Sequence, residues 1–169
     1  HIVAQYSRWG AIHDTLDPAE PVALRPWRQT FVNEKIRPLL RSLNAQCFLQ
    51  IDPVRICMHP ILLEQVFTTL CANTYEAMVR THSPQRLTIA AHLSTENPPR
   101  ILLRLANTGS AFPQDVLTEQ GRKPVASQQG LGLGLVLVRK MLEQVGGDLR
   151  LSNEDGQAVV AILLPGQPE

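Results

Sequence analysis

A chain of 169 residues that is 44% hydrophobic and 18% charged carries enough apolar material for one packed domain. Its net charge of +1 leaves no footprint for nucleic acid or an anionic membrane surface, and no apolar run reaches the roughly 18 residues a spanning helix needs. No signal peptide or targeting motif is visible at the start, and Cys47, Cys57 and Cys71 are odd in number, sit in apolar surroundings and match no metal-ligand spacing, so they read as reduced core residues of a cytoplasmic protein.

Along the chain, Ile2, Val3, Tyr6 and Trp9 fall at helical spacing before Asp14 to Pro21 breaks the pattern with two prolines. An apolar stripe needs a surface to pack on. Residues 1–20 are therefore expected to be the end of a longer helix plus a linker, ahead of a domain spanning 21–169; a frayed terminus is the plainer alternative. Val22-Ala23-Leu24 reads as a short strand and Pro26 to Leu43 as a helix that Pro38 should kink or split. Cys47 to Ile51 and Val54 to Met58, joined at Asp52-Pro53, have the pattern of a hairpin.

Pro60 opens a second helix running to about Val79. At 100° per residue its core stripe is Leu63, Val66, Leu70 and Ala77, and Thr69, Asn73 and Glu76 form a polar ridge beside it, which suits either a pocket wall or an ordinary helix flank. Leu87 to Leu93 and Arg100 to Ala106 are strands around a turn at Ser94 to Pro99. Asn107-Thr108-Gly109-Ser110-Ala111-Phe112-Pro113 follows as a loop of small residues at a strand's end, where a sheet presents ligand contacts. Gln114 to Gln129, polar and aperiodic, is expected to be a mobile loop.

Gly130-Leu131-Gly132-Leu133-Gly134-Leu135 runs directly into an amphipathic segment that stops at Gly146-Gly147. Alternate glycines let backbone approach a ligand, and a helix starting there aims unpaired N–H groups at it, an arrangement suited to phosphate. Leu137, Val138, Met141, Leu142 and Val145 make the apolar face, with Arg139, Lys140, Glu143 and Gln144 opposite. Leu149 to Ser152 and Ala158 to Leu164 are strands closed by Asn153-Glu154-Asp155-Gly156.

Three boxes in this order, Asn73 in LCANTYEAM, then NTGSAFP, then GLGLGLVLVRKMLEQVGG, resemble the ATP-binding catalytic domain of bacterial sensor histidine kinases, whose superfamily includes the gyrase, mismatch-repair and heat-shock-chaperone ATPases. The resemblance implies an α/β two-layer sandwich, a mixed β-sheet with helices on one face and ATP held between the helices under a flexible lid at about 114–129. It implies Mg²⁺ at Asn73 and ATP contacts from Asn73, Glu76, Asn107, Gly109, Ala111, Phe112 and Lys123, and from the run Gly130, Leu131, Gly132, Leu133, Gly134, Leu135. Arg122 or Lys123 would reach a terminal phosphate.

The chain departs from the family at Asn107, where aspartate is usual, at Ala111, where glycine is usual, and at Thr69, where asparagine is usual and the related ATPases place a water-activating glutamate. The phenylalanine-rich lid motif is missing. His13-Asp14-Thr15-Leu16-Asp17-Pro18 looks superficially like the family's histidine box but stands too close to the first strand, so His13 reads as a linker residue. His59, His82 and His92 show no acidic partner in sequence. The implied function is Mg²⁺-ATP binding and transfer of the γ-phosphoryl group to a histidine on a dimerisation domain outside this chain, in a homodimer that serves a response regulator. A nucleotide-poor domain that regulates by contact is the alternative.

Overall fold

The structure is a computed structural model that describes residues 22–81, 85–126 and 133–169. The expectations for residues 1–20, for His13 and His82, and for Gly130, Leu131 and Gly132 fall outside the described residues.

The spine of the fold is the last strand, β7 (Gln157–Pro168), whose run of valine, isoleucine and leucine suits a position inside a sheet. On one side β7 pairs antiparallel with β5 (Arg100–Asn107), from Asn107 opposite Ala158 to Arg100 opposite Pro165. On the other it pairs first with β6 (Asp148–Glu154) and then, through its final residues, with β3 (Val54–Ile56). Beyond β5 lie β4 (Arg86–Leu93), antiparallel to it, and β2 (Gln46–Ile51), parallel to β4; the short β1 (Val22–Ala23) pairs with β3. The β6–β7 hairpin turns on Asp155 and Gly156, both with positive φ (51° and 75°), the pair of left-handed residues that a two-residue turn between twisted strands requires.

Two helices cover one face of this sheet. Helix α3 (Pro60–Val79) lays Leu63, Val66 and Leu70 on it, and α5 (Leu133–Gln144) lays Leu137, Met141 and Leu142 beside them. Opposite stand Leu87, Ile89, Ile101, Leu103, Leu105 and Ile162, all 2% exposed or less. Each such side chain is worth about 1.5–3 kcal/mol over its exposed state. This is the sandwich the sequence implied.

Several elements differ from expectation. Leu24 belongs to a helix, α1 (Leu24–Phe31), and Pro38 does split the following segment: a π turn (Val32–Ile36), in which the Arg37 N–H reaches the Val32 carbonyl, precedes α2 (Arg37–Ser42). A proline ring clashes with the carbonyl four residues back, here Glu34, and a widened turn relieves it. The expected hairpin at Asp52-Pro53 does not form. A tight hairpin needs left-handed residues at its corner, which Pro53 cannot adopt, so β2 and β3 part to opposite flanks of the sheet.

The expected loop at Gln114–Gln129 begins as a helix, α4 (Gln114–Glu119), whose first backbone bond runs from the Leu117 N–H to the Pro113 carbonyl (3.2 Å) and whose Val116 is buried against the core. Gln120, left-handed at φ 55°, ends it. The backbone N–H of Leu151 on β6 donates to Gln120 Oε1 (2.6 Å), and Gln120 Nε2 donates back to the Leu151 carbonyl (2.8 Å). That amide stands in for a missing neighbouring strand.

Candidate functional site

Between α3, the loop after β5 and the first turns of α5 lies a cavity of about 170 Å³, comparable to one known to admit a single benzene ring. Leu70, Leu135, Ala158 and Val160 make its apolar floor. Asn73 and Glu76 reach it from α3 and Arg80 from the C-cap just past its last turn, spaced three and four residues apart on one side of the helix. Among the described residues their side chains make no hydrogen bond or ion pair, which leaves their polar atoms available to a ligand.

Asn107 is the last residue of β5, held between Leu87 and Ala158 and only 4% exposed. Its Nδ2 donates to the Thr108 carbonyl at 2.9 Å, and since a carbonyl can only accept, the orientation of the amide is decided. Oδ1 makes no hydrogen bond among the described residues and is free to accept from a ligand. Ser110, Ala111, Phe112 and Pro113 continue the wall.

The sequence-derived residues thus separate. Asn73, Glu76, Asn107, Ala111, Phe112 and Leu135 meet at the cavity. Gly109 does not line it: with φ +124° it presses on α3, where a Cβ would lie 2.9 Å from the Ala77 carbonyl oxygen, and the Ser110 N–H donates to that same oxygen at 3.2 Å. Leu133 and Gly134 open α5 outside the lining, and Gly134 faces α3, a Cβ there falling 3.2 Å from Thr69 Cγ2. Lys123 stands away from the cavity and pairs with Glu119 at 3.5 Å, while Arg122 donates to the Glu119 carbonyl at 3.3 Å. Thr69 is buried and its hydroxyl donates to the Gln65 carbonyl, so it is core rather than ridge.

Reasoning from sequence missed Arg80, Thr74 and Ser110. The signal for Arg80 lies in the spacing: four residues on from Glu76 the ridge reaches it, whereas Thr69, at the other end, is core. Ala77, expected in the core stripe, lines the cavity instead, and the neighbouring Met78 is the buried core residue. Two histidines have clear local roles. His59 Nδ1 accepts from the Ile61 N–H and caps α3, and His92 Nδ1 lies 3.2 Å from Asp52 Oδ2, an acidic partner that the parallel β2–β4 pairing supplies and sequence spacing hides.

Arg139 also departs from its expected solvent-facing place. It is 7% exposed and donates to the carbonyls of Gln120 (2.6 Å) and Leu149 (2.5 Å) and to Asp148 Oδ1 (3.2 Å). Burial alone would raise the Asp148 carboxyl; the Leu149 N–H, Arg139 and Arg150 outweigh it and hold the group below its ordinary value. Burial drives the Cys71 thiol up to about 12, with Cys47 adding to the effect, so Cys71 is inert core.

Residues 58–168 match the family of histidine kinase-, DNA gyrase B-, and HSP90-like ATPases. With well over half of its length matched, the chain belongs to that family. Sporulation kinase E of Bacillus subtilis (strain 168) is 26% identical over 152 residues, covering 84% of this chain but 20% of that protein; the chain thus spans about a fifth of that relative's length. The fold is that of histidine kinase catalytic domains. That of ThkA superposes with a TM-score of 0.72 at 21% identity, covering 86% of this chain and 96% of that one. Full-length ShkA, solved in complex with AMPPNP, gives a TM-score of 0.71 at 18% identity over 99% of this chain and 35% of that one.

Proposed function

We propose that this chain binds Mg²⁺-ATP with adenine in the cavity and donates the γ-phosphoryl group to a histidine on a dimerisation domain, its own or a partner's, within a homodimeric kinase that serves a response regulator. The observation that carries the proposal is the convergence of Asn73, Glu76 and Asn107 on one ring-sized cavity in a member of this family. The cavity takes a flat base between Phe112 and the aliphatic floor, with Asn107 Oδ1 accepting from an exocyclic amine. Gly130, Gly132 and Gly134 would receive the phosphates.

A magnesium ion fits the donors present. Among the described residues no group of three or more His, Cys, Asp or Glu gathers into a cage, and Asn73 and Glu76 offer hard oxygens of the number and kind for a cation held mainly by phosphate oxygens and water. Bound there, it would neutralise phosphate charge; the protein's share is to position the nucleotide and shut out water. Thr69 cannot activate a water, because an alcohol is not a base at neutral pH and this one is buried on the helix. Turnover without a histidine acceptor is not expected.

Calorimetric titration with ATP, with Mg²⁺ and with chelator, tests the reading. The parent should bind in a Mg²⁺-dependent way, and Asn73→Ala should bind about tenfold more weakly in Mg²⁺, equivalent to losing one good ligand interaction, with unchanged affinity in chelator. A parent that binds no ATP would establish the contact-regulating alternative instead.

A further inference from the structure

The backbone of Phe112 is held on both sides by one side chain. Its N–H donates to Asn153 Oδ1 at 2.8 Å, and Asn153 Nδ2 donates to its carbonyl at 3.0 Å. Because a backbone N–H can only donate and a carbonyl only accept, this two-way grip fixes the Asn153 amide in a single orientation. Asn153 lies on β6 opposite Ala158, whose side chain floors the cavity that Phe112 walls. Both residues are thus attached to one end of the β6–β7 hairpin. Eight residues after Phe112, Gln120 makes the reciprocal bond pair to Leu151 of the same strand, so the segment from Phe112 to Gln120 is attached to the β6 edge at both ends by amides acting as strand neighbours.

We propose that Asn153 is a positioning residue for the base-binding wall: it acts on the ligand only through the backbone of Phe112, setting how far that ring stands from Val160 and Leu135 across the cavity. The proposal rests on the nucleotide reading. Its chemistry is particular to an amide of this length. Serine is too short to reach both backbone groups, and aspartate keeps the acceptor for the N–H but turns a negative oxygen towards the carbonyl.

The test is titration of the full chain with adenosine, ATP and inorganic tripolyphosphate, for the parent and for Asn153→Ala, Asn153→Asp and Asn153→Gln. Asn153→Ala should bind adenosine and ATP roughly tenfold more weakly, the net worth of one to two hydrogen bonds expressed through the wall, and tripolyphosphate as the parent does. Asn153→Asp should fall at least as far, and amide exchange at Phe112 should speed up in both. Asn153→Gln, which keeps both groups on a longer stem, should recover part of the loss. A general loosening of the fold would weaken all three ligands together and lower the melting temperature, and that result overturns the positioning role. So does an Asn153→Ala protein with parental adenosine affinity. A parent that binds tripolyphosphate but no adenosine overturns the nucleotide reading, and the proposal falls with it.

Discussion

Asn107 shows what a single side chain can and cannot announce from sequence. As a replacement for aspartate it leaves two orientations open: oxygen towards the cavity, which suits adenine's amine, or nitrogen towards it, which suits a purine carbonyl. The Thr108 carbonyl removes the second, because rotating the amide would set two acceptors 2.9 Å apart. If adenine sits in this cavity as proposed, a preference for ATP over GTP on the order of tenfold is expected, since a guanine carbonyl facing Oδ1 loses a bond and meets an unpaired acceptor. Parallel titrations of the parent with ATP and GTP check this, and equal affinities would mean that the amide turns in solution. The relaxed purine selectivity that a freely rotating asparagine suggests is not expected. Asn107→Asp would lose the bond to the Thr108 carbonyl and leave a carboxylate only 4% exposed, so the unliganded protein should be less stable.

At the scale of elements, the strongest periodicities were read correctly and their phase less well. The helix from Pro60 to Val79 starts at the expected proline and ends about where expected, because the apolar spacing persists to there. Which of its flanks faced the cavity depended on α5 and the loop after β5, partners that a helical wheel does not contain. Hence Thr69 was assigned to the ridge and Arg80 overlooked. Similarly, Arg139 sits on the formally polar side of α5, and only the approach of Gln120 and β6 makes that side an interior.

Gly109 illustrates the same dependence. The resemblance implied an ATP contact at Gly109, whereas the close approach is between the loop and α3. Gly109→Ala would bring a methyl within 2.9 Å of the Ala77 oxygen at a φ of +124°. Backbone strain of this kind costs about 1–3 kcal/mol, and the loop must also lift from the helix that carries Asn73. Urea unfolding should show a loss of that size together with weakened ATP binding, while Gly156→Ala, at φ +75° with open space around it, should lose stability and keep binding. Parental stability in Gly109→Ala would show that the loop does not press on α3.

For the molecule as a whole, the class of fold followed from the three boxes through the family they resemble, but the order of the strands could not be read. The parallel pairing of β2 with β4 and the crossing of β3 to β7 join residues far apart in sequence, with no local turn to announce them. What closes the sheet's β6 side is the Arg139 cluster, which ties the end of α4, the middle of α5 and the start of β6 through Gln120, Asp148 and Leu149. Its electrostatic part has a definite pH signature. Asp148 is held below its ordinary value of 3.8 in the folded chain, so it favours folding fully above that pH, and its contribution disappears as pH falls from there through the folded value. With the Asp148 side chain 38% exposed, solvent screening keeps the effect small. The melting temperature of Asp148→Asn should therefore lie modestly below the parent's at pH 7, and the gap should close below about pH 3.8. Arg139→Met should behave differently, because it leaves the Gln120 and Leu149 carbonyls without their donor at every pH, a loss on the order of 3 kcal/mol. Its deficit should persist in acid. If the two variants instead lose their deficits together as pH falls, the ion pair rather than the carbonyl bonds holds the cluster, and the part assigned to Arg139 in joining α4, α5 and β6 is wrong.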